Sequence, residues 1–131
     1  DPRGQVVSIA HMLYMRDGME WLKNQNHNVS NGMQWVPLHD AQKKELAFDH
    51  HDIIMDAMMR LQGQFGWTPY VFDTLPRPFT LTQAMKLRSS LFNEDMNAIS
   101  RANFRKKYQP FWREVGVVDP TDERSAKLFE Y

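Results

Sequence analysis

Between residues 80 and 110 the chain carries four local signals that say where helices start and stop. Thr80-Leu81-Thr82-Gln83 matches a capping box, in which the threonine hydroxyl accepts from the N3 backbone and the glutamine reaches back to the N-cap. Asn93-Glu94-Asp95 closes that helix. Ser100 suits the N-cap of a second one, with Ile99 before it and Phe104 at N4 as a hydrophobic staple. Pro110 stops it, because proline lacks the N–H and clashes with the preceding turn. The apolar spacing agrees: Leu81, Ala84, Met85, Leu91 and Phe92 form one stripe, and Phe104 and Tyr108 sit one turn apart. Beyond them, two apolar-aromatic runs, Phe111 to Val118 and Ala126 to Tyr131, flank the polar stretch Asp119 to Ser125 and predict a β-hairpin.

The preceding part reads as mixed. Gln5 to Met15 is rich in β-branched and aromatic residues and predicts a strand, with Arg16-Asp17-Gly18 as a turn. Residues 24–32 are polar and loop-like, and Met33 to Leu38 predicts a short strand that Pro37 confines to an edge or an end. A long helix begins at Asp49, with Ile53, Ile54, Ala57, Met58, Leu61 and Phe65 at helical spacing, and Gly63 and Gly66 are expected to end it. Tyr70-Val71-Phe72 reads as extended, Asp73 to Pro78 as a stiff connector, and Trp67 is expected to cover the joint between the two halves. The fold class expected is α+β, in two units: residues 1–66 with strands and the long helix, and residues 67–131 with two helices and a hairpin.

Composition narrows the chemistry. The 131 residues include no cysteine, which removes disulfides, thiolate nucleophiles and zinc-thiolate sites and fits a cytoplasmic setting. No apolar run is long enough to span a bilayer. The first residues, Asp1-Pro2-Arg3-Gly4, show neither a leader pattern nor a start methionine, which leaves two readings open: a piece of a longer protein, or a chain that starts at residue 1. The formal net charge of zero conceals an asymmetry. Residues 1–76 carry six Lys and Arg against nine Asp and Glu, whereas residues 77–131 carry ten against seven. Arg101, Arg105, Lys106, Lys107 and Arg113 cluster with no acid between 101 and 113, which hints at an anionic partner for the second half.

Helix, short turn, basic helix, hairpin is the order of a winged helix-turn-helix. With Phe104 and Tyr108 inward, the opposite face shows Ala102, Asn103, Lys106 and Gln109, flanked by Arg101, Arg105 and Lys107. Small, amide and cationic side chains suit a major groove, with Asn103 or Arg101 at base edges and the flanking cations at phosphates. Thr80 and Thr82 stand where backbone N–H groups at a helix start could meet a phosphate, and Arg113, Arg124 and Lys127 could reach the backbone from the wing. Taken alone, these residues fit a generic small domain with a solvated cationic face equally well. Asp49-His50-His51-Asp52 invites a metal reading, but neighbours at i and i+1 do not share a helix face, so solvent-facing histidines at a capped helix start are expected instead.

Five segments, in order, resemble the Nudix-related transcriptional regulators of NAD metabolism and their ADP-ribose-hydrolysing relatives. These are Asp1-Pro2-Arg3-Gly4 with Val6-Val7-Ser8-Ile9-Ala10; Trp35-Val36-Pro37-Leu38; Leu46-Ala47-Phe48-Asp49-His50; Leu75-Pro76-Arg77-Pro78-Phe79-Thr80-Leu81; and Arg101-Ala102-Asn103-Phe104-Arg105-Lys106-Lys107. The resemblance implies a C-terminal remnant of a Nudix fold followed by a winged helix-turn-helix. It also implies DNA binding through Arg101, Asn103, Arg105, Lys106 and Lys107, a homodimer on palindromic double-stranded DNA, and control by ADP-ribose or a related nucleotide in the intact protein. The hydrolytic pattern departs. A Nudix hydrolase needs clustered glutamates to hold Mg²⁺ against a pyrophosphate, and this chain has no adjacent glutamate pair. Its one Arg-Glu, Arg113-Glu114, lies in the hairpin region. Two rivals to the regulator therefore stand: an ADP-ribose pyrophosphatase whose catalytic segment lies upstream, and a protein-interaction module. No catalytic residue, resident cofactor or metal is expected in this chain itself; Mg²⁺ and ADP-ribose would belong to an intact Nudix domain.

Overall fold

In the computed structural model, residue 4 and residues 7–15 and 36–131 are described. The expected turn at 16–18, the loop at 24–32 and parts of both expected strands lie outside them. The described elements are α1 (Leu38–Ala41), α2 (His50–Trp67), β1 (Phe79–Thr80), α3 (Leu81–Phe92), α4 (Arg101–Tyr108), β2 (Arg113–Val117) and β3 (Lys127–Glu130). Among the described residues the architecture is α+β: an antiparallel sheet in the order β1-β3-β2, whose Phe79 and Phe129 share a core with residues of the helices.

The local signals of the second half act as their chemistry requires. Thr80 closes a full capping box: its Oγ1 accepts from the Gln83 backbone at 3.2 Å while its own N–H donates to Gln83 Oε1 at 2.7 Å. Asn93 ends α3 in the left-handed conformation, φ 52°, which asparagine tolerates better than most residues. Ser100 caps α4 by accepting from Asn103 N, and α4 gives way at Gln109–Phe111 to a tight turn that contains Pro110. The hairpin pairs Arg113 with Glu130 and Val117 with Lys127, with a bulge between Glu114 and Gly116. Phe79 pairs with Phe129, so a two-residue strand from before α3 completes the sheet.

An aromatic cluster holds these pieces together. Phe72, fully buried, sits at its centre, with Trp112 at 5.0 Å, Phe65 at 5.2 Å and Tyr108 at 5.4 Å in edge-to-face contact and Phe79 stacked at 6.1 Å. Each such pair contributes about 0.5–1.5 kcal/mol beyond the area it buries. Phe104 and Phe129 close the cluster from α4 and β3.

Several expectations for the first half are corrected. Residues 7–15 form no strand: Val7, Ile9 and Leu13 stand exposed, and no strand lies beside them among the described residues to supply the ladder that defines one. Leu38 opens the short helix α1 rather than ending a strand. Asp49 does sit at the N-cap of α2, but its side chain makes no capping bond. Gly63 and Gly66 lie inside α2, which runs on to Trp67 because Pro69 forces Thr68 into extended backbone at ψ 145°. Tyr70-Val71-Phe72 is not extended; it lies in the 3₁₀ turn Pro69–Thr74, which drives Val71 and Phe72 into the core. Trp67 does not cover a joint, since it is 86% exposed; Phe65, two residues earlier, turns inward instead. Of the α2 stripe Met58 and Phe65 are buried, and Ile53, Ile54, Ala57 and Leu61 are half-buried, with Leu61 packed against the aromatic core.

Candidate nucleic-acid interface

Burial of Phe104 and Tyr108 decides which way every other side chain of α4 points. At about 100° per residue, Ala102 and Lys106 lie opposite that buried edge, Arg101, Arg105 and Gln109 turn to one flank, and Asn103 and Lys107 to the other. Ala102, Asn103 and Lys106 are exposed accordingly.

The first flank faces the hairpin across an open groove of about 720 Å³. Leu81 and Phe129 form its apolar floor, and its sides carry Arg101, Arg105 and Lys106 from α4 with Arg124 and Lys127 from the hairpin. No carboxylate lines it. Among the described residues Arg101, Arg105, Lys106 and Arg124 form no ion pair. Arg101 donates to Thr82 Oγ1 at 3.2 Å, and Arg105 Nε donates to Gln109 Oε1 at 2.9 Å. Neutral acceptors thus orient both guanidiniums without cancelling their charge. Lys127 differs, because Glu114 Oε2 lies 2.8 Å from its ammonium. The wing loop is shaped by its own side chains: Ser125 Oγ accepts from Asp119 N, and Asp122 accepts from Arg124 N at 2.9 Å.

The other flank is a smaller cleft lined by Asn103 and Lys107, with Arg88 and Glu94 from the end of α3. Glu94 pairs with Arg88 Nε at 3.1 Å and holds that guanidinium more firmly protonated than usual. Lys107 lies 5.2 Å over the Tyr108 ring.

The expected site residues therefore divide. Arg101, Arg105 and Lys106 converge on the groove, and Asn103 and Lys107 stand on the adjoining flank. Thr82 borders the groove through its bond to Arg101, whereas Thr80 spends both its hydroxyl and its backbone N–H on the capping box. Arg113 is not brought in. It stands opposite Glu130 in the ladder and pairs with it at 2.9 Å, and this register puts both on the sheet face away from Phe129 and the groove. Leu81 and Phe129, the groove floor, escaped sequence reasoning because each reads simply as a core residue.

Nothing among the described residues fits the divalent cation of Nudix chemistry. No three His, Asp or Glu side chains converge to hold an ion, and His50 and His51 are exposed at the start of α2. No helix of the described residues is long and apolar enough to cross a membrane.

Comparison with known proteins bears on this geometry. Residues 71–131 match the NrtR DNA-binding winged helix domain. The whole chain is 27% identical to the ADPR responsive transcriptional repressor NtrR of Acinetobacter baylyi, of which it spans 51%, so it covers about half the length of that curated relative. Among solved structures, it resembles Shewanella oneidensis NrtR complexed with a 27mer DNA, at a TM-score of 0.65 and 27% identity over 82% of this chain and 48% of that one. It also resembles a MutT/nudix family protein from Enterococcus faecalis, at a TM-score of 0.58 and 31% identity over 67% of this chain and 32% of that one. Over residues 71–131 the chain thus matches the NrtR DNA-binding winged helix domain, and along its length it is similar to NrtR-type regulators and, over 67% of it, to a MutT/nudix family protein.

Proposed function

We propose that this chain is the DNA-reading part of a transcriptional regulator of NAD or nucleotide metabolism genes, controlled in the intact protein by ADP-ribose or a related nucleotide. The observation that carries the proposal is the carboxylate-free groove between α4 and the hairpin, where four cations that form no ion pair among the described residues face one open channel. A groove of that sign, with Ala102 on the outermost line of its helix, suits a phosphate backbone along its cations, Lys106 included, and base edges at its crest. The Shewanella relative bound to DNA and the Acinetobacter relative named for its response to ADPR support the assignment of partner and effector. In this reading two copies act as a dimer on a palindromic site in the cytoplasm, with their α4 helices about 34 Å apart, one turn of DNA. The hydrolase alternative would need its paired glutamates upstream of residue 1, since residues 1–131 hold no adjacent pair.

The test is fluorescence anisotropy with duplex DNA from the region upstream of the chain's own gene, against a shuffled duplex of equal composition. Tighter binding to the first, weakening steeply as salt rises, is the expected result. A folded protein that binds neither duplex, at low salt as at physiological salt, would sink the reading.

A further inference from the structure

The DNA-facing helix is tied by a buried bond to a helix outside the winged helix domain. Tyr108, the last residue of α4, donates its hydroxyl to the main-chain carbonyl of Phe65 at 2.7 Å. Phe65 lies in the last turn of α2, where carbonyls have no partner within the helix. The neighbouring Gln64 carbonyl is taken by Thr68 N, so Tyr108 supplies the bond that Phe65 lacks. Tyr108 and Phe65 are 3% and 2% exposed, with their rings edge to face at 5.8 Å, so water cannot replace either contact. On another side of the same turn Gln64 accepts from the Tyr14 hydroxyl, which joins α2 to the 7–15 segment. The last turn of α2 is therefore gripped by both parts of the molecule, and a core packed this tightly does not flex continuously.

We propose that Tyr108 is a positioning residue whose hydroxyl locks the orientation of α4 to α2, so that a displacement of α2 is passed to the groove that meets DNA. This rests on the reading of α4 as the DNA-facing helix, and it assigns the element through which the remainder of the protein would act on it. A coupling of this kind needs a physical contact that both sides bias, and the Tyr108–Phe65 pair is such a contact.

The test is hydrogen exchange of the 101–108 amides in a double-mutant cycle. Ala57→Gly loosens α2 two turns before Phe65 and outside the core; Tyr108→Phe removes only the hydroxyl. With Tyr108 present, Ala57→Gly should raise exchange in 101–108 about threefold or more, and in the Tyr108→Phe background by less than about half as much. Equal acceleration in both backgrounds, or none in either, overturns the proposal. Should Tyr108→Phe fail to fold, Ala57→Gly decides alone: faster exchange in 101–108 that spares 113–117 supports the coupling, and unchanged rates overturn it. The exchange arm needs no DNA, so it judges Tyr108 even if the wild-type chain binds no duplex, an outcome that would defeat only the functional reading. Where binding is seen, Tyr108→Phe should weaken it about tenfold with the salt slope unchanged, since no phosphate contact is removed; a shallower slope would count against positioning.

Discussion

Replacing Arg105 and Lys106 with alanine removes two of the four groove cations that pair with no carboxylate among the described residues. Each phosphate neutralised on duplex DNA contributes about 0.9 to the slope of log affinity against log salt. Four contacts per chain therefore predict a slope of about −3.6, and the double variant a slope of about −1.8. Over a salt rise from roughly 50 to 200 mM, the wild-type chain should lose about 150-fold in affinity and the variant only about 12-fold. Lys127→Ala is the internal comparison. Its ammonium already sits 2.8 Å from Glu114, so its removal should change the slope by less than one full contact. The assay is anisotropy at several salt concentrations, with circular dichroism to show that both variants keep the wild-type helix content. Wild-type and Arg105→Ala/Lys106→Ala slopes that coincide would mean that the groove does not carry the phosphate backbone, however the protein binds.

Three further outcomes follow from the same structure. Thr80→Ala removes the acceptor of the α3 capping box and should lower stability by about 0.5–2 kcal/mol in urea unfolding, while Thr80→Ser should recover most of it. Phe72→Ala empties the centre of the aromatic cluster and should cost about 3–5 kcal/mol; a loss under about 1 kcal/mol in the same titration would show that the cluster does not hold the domain together. Asp119, whose carboxylate accepts from the Thr121 hydroxyl and backbone N–H, is held below its ordinary pKa. Because the folded value is the lower one, its contribution is complete above the ordinary aspartate range and is lost as pH falls through the lowered value. NMR of the Thr121 amide should therefore report loosening of the wing loop only in strong acid, and a transition near neutral pH would contradict the assignment.

The relation between α2 and the winged helix bears on regulation. Gln62 Nε2 donates to the Leu91 carbonyl at the end of α3, and Phe65 enters the core through which α3, α4 and the hairpin meet. A helix that belongs by sequence order to the preceding half thus supplies part of the second half's interior. In the proposed reading an effector would reach the groove through a change in where α2 rests, with no new interface.

Local chemistry was legible from the sequence alone. The capping box at Thr80, the cap at Ser100, the stop near Pro110 and the inward turn of Phe104 and Tyr108 depend on residues at most four apart, and such neighbours interact whatever the rest of the chain does. The basic character of 101–107 was legible for the same reason. Which cations remain free was not. Arg113 reads like its neighbours until the ladder register sets it against Glu130 on the far face of the sheet, and Lys127 looks free until Glu114 is folded across from it. The 7–15 run has the composition of a strand, but pairing needs a partner that composition does not supply. Likewise Trp67 and Phe65 are both aromatic residues near the end of one helix, and only the packing of α2 decided that phenylalanine would be buried and tryptophan left in solvent. Propensity, caps and turns act over a few residues and were determined by the sequence itself; charge compensation, strand pairing and the identity of the buried face join residues dozens of positions apart, and only the tertiary structure decided them.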